Sequence, residues 1–267
     1  MSKIKSKFLE LKSKKQKALI AYVVAGYPNE AGTLATVRGL VKGGADIIEL
    51  GLPFSDPLAD GPVIQRASHQ ALQGGINLSK FLSIVKRIRK QTNLPLVLMT
   101  YTNLLYRIGF DKFISLAKKA GIDGFILPDM PIEEADDYLR AIRRNKVDAI
   151  FLASPNTSEE RLKKILKKSS GFLYLVSLYG TTGKQQKIQK YTIDAIKNAR
   201  NIVNSKLPLG VGFGVSNPQQ ARLILKNGAD AIIVGSAFLR IIETSDRKKI
   251  EARVASFTKN LKAATKS

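Results

Sequence analysis

The chain contains no cysteine and one histidine, His69. Without thiols it can form neither a disulfide framework nor a thiolate metal site, and a lone imidazole does not make a zinc centre. His69 lies in a stretch of helical pattern, Pro62 to Gln73, and is expected to be a structural or surface residue, with no metal bound. No Pro/Gly/Ser-rich linker divides the 267 residues, and no apolar run approaches the length that spans a bilayer. Acidic residues are scarce: 21 Asp and Glu against 44 Lys and Arg leave a formal net charge of +23. Taken alone, that imbalance points to nucleic acid or another anionic surface. The cations recur in pairs on expected helix faces, such as Lys86-Arg87, Lys118-Lys119 and Lys167-Lys168. No zinc-finger, RNA-recognition or Gly-Xaa-Xaa-Gly module accompanies them, so they read as solvated faces without a specific nucleic-acid site or a membrane partner.

What is present is 44% hydrophobic content, enough for one large core and a single domain over residues 1–267. The lysine-rich opening carries Ile4, Phe8, Leu9 and Leu11 at helical spacing, which reads as an amphipathic cap helix rather than a secretory signal. A soluble, cytoplasmic protein is expected, and the lack of cysteine fits a reducing compartment. Short β-branched runs then alternate with helical patterns. The strands are predicted at 19–25, 46–50, 96–100, 124–127, 149–152, 172–176, 208–213 and 231–234. The helices that follow them are predicted at 29–42, 78–91, 111–119, 132–145, 158–167, 193–204, 218–226 and 246–264. Eight such units predict an α/β fold, a (β/α)8 TIM barrel with an N-terminal cap helix. Faint internal similarity supports repeated units, with Gly-Xaa-Asp leading into a strand near Asp46, Asp123 and Asp230.

One residue breaks the pattern. The run Ala45-Asp46-Ile47-Ile48-Glu49-Leu50 is nearly all apolar, as buried parallel strands are, yet it ends in a carboxylate. Burying Glu49 is costly unless it is paired or used, and its pKa is expected to rise into the range where it can both give and take a proton. Asp60, across the Pro-bent loop that follows, is placed at the mouth of the same pocket. The segment from Ser177 to Gln186 reads as a lid. Gly212-Phe213-Gly214 and Gly235-Ser236 close the last two strands, where barrels aim backbone N–H groups at phosphate.

Taken together, these residues resemble the tryptophan synthase alpha subunit family along essentially the whole chain. The most specific motif is Pro-Phe-Ser-Asp-Pro-Leu-Ala-Asp-Gly-Pro at 53–62, in order with Ala-Gly-Tyr-Pro at 25–28, Met-Thr-Tyr-Thr-Asn at 99–103 and Pro-Asp-Met-Pro at 128–131. The resemblance implies cleavage of indole-3-glycerol phosphate to indole and glyceraldehyde 3-phosphate, with no cofactor in this subunit and pyridoxal phosphate only in a beta partner, in an α2β2 complex. It implies that Glu49 carries the proton for indole C3 and that Asp60 accepts the ring N–H. Tyr22, Tyr101, Leu127 and Phe213 are expected to line the indole pocket, with Tyr174 near Glu49 and Thr182 a lid residue that bonds Asp60. Gly183, Gly214, Gly235 and Ser236 are expected around the phosphate, and Pro53, Asp56 and Asn103 at the partner interface. Leu178 and Tyr179 depart from the common bacterial lid, which carries an arginine there. On the residues alone, another phosphate-binding barrel enzyme stays open, as does a barrel kept as a partner activator or basic binder.

Overall fold

The computed structural model describes residues 1–176 and 190–266. In chain order the elements are α1 (Lys3–Ser13), β1 (Ala18–Val24), α2 (Glu30–Gly43), β2 (Ile47–Gly51), α3 (Pro62–Gln73), α4 (Leu78–Arg89), β3 (Leu96–Met99), α5 (Thr102–Ile108), α6 (Phe110–Ala120), β4 (Gly124–Ile126), α7 (Asp136–Asn145), β5 (Asp148–Ile150), β6 (Leu152–Ala153), α8 (Glu159–Lys168), β7 (Leu173–Val176), α9 (Lys190–Val203), β8 (Leu209–Gly212), α10 (Pro218–Lys226), β9 (Ala231–Val234), α11 (Ser236–Glu243) and α12 (Ile250–Ala263). Every ladder is parallel, and β1 lies between β2 and β9. Phe151 alone separates β5, which pairs with β4, from β6, which pairs with β7. The two are halves of one strand, and the sheet closes as an eight-stranded barrel. The sequence alternation omits α5 and begins the last helix at 246, whereas α11 follows β9 directly and α12 starts at Ile250.

Local chemistry explains the helix starts. Asn29, Asn77, Ser158 and Asn217 each accept a hydrogen bond from the N–H three residues on. Gly44, at φ 89°, ends α2 in the left-handed region and turns the chain into β2. Among the described residues, no helix is long and apolar enough to cross a membrane.

The barrel interior is layered. α1 lies across the N-terminal mouth, where Ile4, Phe8 and Leu11 join Ile20, Ile47, Val97, Ile126, Ile150, Phe172 and Ile233 in one cluster. Leu9, expected on this face, is 47% exposed, because the buried stripe runs through Ile4, Phe8 and Leu11 and passes it by. Side chains alternate along a strand, so the next inward layer is reached two residues on: Tyr22 above Ile20, Glu49 above Ile47, Met99 above Val97, Tyr174 above Phe172 and Gly235 above Ile233. Hydrocarbon seals the lower mouth and leaves this upper layer for chemistry.

A repeated clasp holds the strand starts together. Asp46 Oδ2 accepts from Leu19 N at 2.7 Å, Asp123 Oδ2 from Leu96 N at 3.0 Å, Ser170 Oγ from Ala149 N at 2.9 Å and Asp230 Oδ2 from Leu209 N at 3.0 Å. The three aspartates are those of the Gly-Xaa-Asp segments, and each also pairs with a cation. Asp46 meets Lys262 at 2.6 Å, Asp123 meets Arg89, and Asp230 meets Arg200 at 3.0 Å and Lys17 at 2.9 Å. Burial pushes the Asp46 carboxyl above its ordinary pKa despite Lys262 beside it, so desolvation outweighs attraction in that pair. Such a pair is costly to break and cheap to replace. Asp46→Asn strands the Lys262 charge, and urea unfolding should show a loss of roughly 3 kcal/mol, most of it recovered when Lys262→Met is added. A loss under ~1 kcal/mol from the single change would dismiss the clasp as a structural device.

Candidate functional site

Glu49 stands in the upper layer with 0% exposure, and neither carboxylate oxygen has a hydrogen-bond partner among the described residues. Burial first, and then the negative charge of Asp60, raise its pKa from 4.5 to about 8. At neutral pH it is a protonated acid facing the cavity. Tyr22 pairs with Glu49 in the β1–β2 register. Glycines make room for its ring: a Cβ on Gly51 would lie 2.5 Å from the Tyr22 hydroxyl, and one on Gly235 would lie 3.0 Å from Cδ1. Gly212 does the same for Tyr174, whose Cε2 would be 2.7 Å from an added Cβ. Both phenols are held well above their ordinary pKa, by burial first and then by the Asp60 and Glu49 charges. They stay neutral beside the two carboxyls.

Asp60 sits half-buried in the loop between β2 and α3. Burial raises its pKa from 3.8 to about 6, opposed by the hydrogen bond of the Tyr101 hydroxyl. Tyr101 is the residue that organises this loop. Its hydroxyl accepts from Ala59 N at 3.0 Å, and its ring stacks on Phe54 with centroids 5.4 Å apart. The α5 helix that Tyr101 precedes is fixed in turn by Asp129, which accepts from Thr102 N at 2.9 Å and from Thr102 Oγ1 at 2.9 Å. The sequence gives no sign of this bracket, because Ala59 and Tyr101 are 42 residues apart.

Gly214, at φ 65°, has open space on the side where a Cβ would be. Gly235 caps α11 without a side-chain bond, so the N–H groups at Ser236 open toward the cavity end of the barrel. Phe213, just past the end of β8, is half-buried and packs against the larger hydrophobic cluster, which also holds Tyr22. Leu127 was expected in the pocket, but alternation from Ile126, which belongs to the inner cluster, turns Leu127 to the helix side. Ile126 is the inward residue of that strand. Thr182, Gly183, Leu178, Tyr179 and the rest of the 177–186 segment lie outside the described residues. Of the expected interface residues, Asp56 and Asn103 are exposed and Pro53 is buried. Near them Leu58 is 89% and Tyr106 75% exposed, two apolar side chains that sequence reasoning passed over. His69 is exposed on α3, and no group of three or more His, Cys, Asp or Glu among the described residues could hold a metal ion.

The raised pKa of Glu49 is also a statement about stability. Between about 4.5 and about 8 the folded chain keeps a proton that the unfolded chain has released. Stability is therefore full below the lower value and is lost as pH rises through the upper one. Glu49→Gln removes that loss. Its melting temperature should match the wild type near pH 4.5 and exceed it by roughly 5–10 °C at pH 9. An equal difference at both pH values would mean that the carboxyl titrates normally.

A neutral acid on the wall, an anionic acceptor at the mouth and free N–H groups beyond them suit a proton-driven cleavage of a phosphorylated aromatic substrate. Known proteins agree. The family model "Tryptophan synthase alpha chain" matches residues 8–266. The tryptophan synthase alpha chain of Methanosarcina barkeri is 45% identical over 264 residues, covering 99% of this chain and 97% of that one. That of Petrotoga mobilis is 45% identical over 264 residues, covering 98% and 99%. Among solved structures, tryptophan synthase of Mycobacterium tuberculosis superposes with a TM-score of 0.90 at 34% identity, covering 100% of this chain and 99% of that one. A chain of the a2b2 complex of Pyrococcus furiosus gives 0.86 at 40% identity, covering 92% and 98%. The chain belongs to the tryptophan synthase alpha chain family.

Proposed function

We propose that Glu49 carries the proton, and Asp60 accepts the ring N–H, in the carbon–carbon cleavage that this family performs on indole-3-glycerol phosphate. The chain is the lyase subunit of tryptophan biosynthesis. Glu49 gives its proton to indole C3 while Asp60 takes up the N–H as positive charge develops on the ring nitrogen. Glu49, now a carboxylate, removes the proton of the side-chain hydroxyl. The C–C bond breaks, its electrons return to the indole ring, and the hydroxyl carbon becomes the aldehyde of glyceraldehyde 3-phosphate. Glu49 ends as it began. The observation that carries this reading is the separation of the two carboxyls, about 8 against about 6, which leaves one protonated and one ionised at neutral pH.

The phosphate is held by main-chain N–H groups at Gly214, Gly235 and Ser236. Tyr22, Tyr101 and Phe213 supply aromatic walls, and Tyr174 a neutral donor beside Glu49. No cofactor is needed in this subunit, since Glu49 and Asp60 account for every proton, and pyridoxal phosphate belongs to the beta partner. The chain works as one domain in the cytoplasm and docks a beta subunit in an α2β2 complex. Asp56, Asn103, Leu58 and Tyr106 form the exposed part of that contact, with Pro53 shaping the loop beneath.

An indole-release assay with and without a beta subunit tests the function. Glu49→Gln should lower turnover by roughly 10²–10⁴ while substrate still binds; turnover within about threefold of wild type, under ~1 kcal/mol of barrier, sinks the assignment. Tyr101→Phe tests the bracket. Losing the hydroxyl that opposes the rise in Asp60 lifts that pKa above about 6, so the acid limb of the kcat profile should move to higher pH. An unmoved limb would separate Asp60 from the rate.

A further inference from the structure

In a barrel of this kind all strands run one way and the packed helices run back, so helix carboxyl ends gather around the strand starts. Each of α2, α4, α6, α7, α8, α9 and α10, which lead into the next strand, and α12, whose Lys262 reaches Asp46 at the start of β2, carries Lys or Arg in its last turn. α1 crosses the same end, and it and the turn after it expose Lys5, Lys12 and Lys15, none of which has an ion pair among the described residues. The carboxylates at that end are few. Asp46, Asp123 and Asp230 are drawn into the strand clasps, Asp148 is 6% exposed, and Glu10 is shared between Lys7 and Lys14, which pull its pKa to about 2. Acidic residues stand in the first turns of α2, α6, α7 and α8, and only Glu30, Asp111 and Asp136 of these reach last-turn cations, Arg87, Arg144 and Lys168.

The last-turn cations of these helices and the lysines around α1 thus gather on the face opposite Glu49. Favourable interaction with helix dipoles explains a cation at each helix end. It explains neither the lysines of α1 nor the lack of free carboxylates. The large exposed apolar side chains there are Leu9 on α1 and Met1 just before it, and no exposed aromatic ring lies on α1. A lipid surface or a protein partner is ordinarily gripped through such anchors, whereas a phosphate backbone needs charge density alone.

We propose that the face around α1 is a docking surface for the phosphate backbone of nucleic acid, bound without regard to sequence. Because the face lies at the end of the barrel away from the pocket, binding leaves the pocket open. The test is fluorescence anisotropy of the full chain with a labelled 30-nucleotide RNA and a DNA duplex of that length, at 50 to 200 mM salt. The slope of log affinity against log salt should be steeper than about −5 on the duplex. Lys5→Glu/Lys12→Glu/Lys15→Glu, with the matching Gln triple as the milder form, should weaken binding at least tenfold and flatten the slope by about 3. Lys80→Glu/Arg107→Glu/Lys112→Glu, the same charge change near the other helix ends, should weaken it less than threefold. Melting temperature and indole release, unchanged within twofold for the latter, confirm folding. Equal weakening by the two triples, a slope shallower than about −2, or capture by phosphatidylserine vesicles without nucleic-acid binding would each overturn the proposal.

Discussion

A carboxylic acid buried without a partner is one of the most expensive side chains to hold inside a protein, and Glu49 is such a group. Much of the upper barrel follows from accommodating it. The acid must stay protonated, so its neighbours must neither share its proton nor add charge, and Tyr22 and Tyr174 meet that condition as neutral phenols. Two large rings at one level of a barrel need small residues opposite them, which is why Gly51, Gly212 and Gly235 cannot carry a Cβ without collision. The lower mouth must be closed to water, and the hydrocarbon of α1 closes it. Asp60 must keep its charge near Glu49, and only a half-exposed loop braced by Tyr101 permits that.

The position of Glu49 is set at the other end of its strand. Because side chains alternate, a slip of one residue between β1 and β2 would turn Glu49 out into the helix layer. The bond from Leu19 N to Asp46 Oδ2 joins the two strands at their starts, and the ladder carries that alignment three residues up to the Tyr22–Glu49 pair. Stability at the bottom of the barrel thereby supplies register at the top. The same device recurs at Asp123, Ser170 and Asp230, so the four bonds brace strand starts all around the barrel.

Sequence legibility follows the range of the interactions. The barrel could be read because alternation of strand and helix is local, and Glu49 because a charge in an apolar run is conspicuous within six residues. Leu127 was assigned to the wrong face because β4 has three residues, too few for the pattern to fix its phase, and Ile126 proved to be the inward residue. Leu9 failed for a related reason: its helix buries a narrow stripe, and a broad one was assumed. The Tyr101 bracket joins segments that only the fold brings together. The charge pattern was visible as pairs on helices, but which end of the barrel they occupy depends on knowing that the helices run one way.

That segregation also explains how a chain of net charge +23 can keep an acid at about pKa 8 in its centre. Cations close to Glu49 would favour its charged form and lower the value, undoing its readiness to donate. The causes acting on Glu49 are burial and Asp60, with no lysine or arginine among them. β1 runs five residues from Ala18 at the strand start to Tyr22 beside Glu49, a rise of roughly 13 Å. Water-exposed charges are largely screened beyond about 8 Å at physiological ionic strength. The basic face can therefore carry a strong field outward without reaching the acid. In the proposed reading, the substrate phosphate is recognised by N–H groups at Gly235 and Ser236 acting at contact distance, rather than by the lysines that dominate the composition.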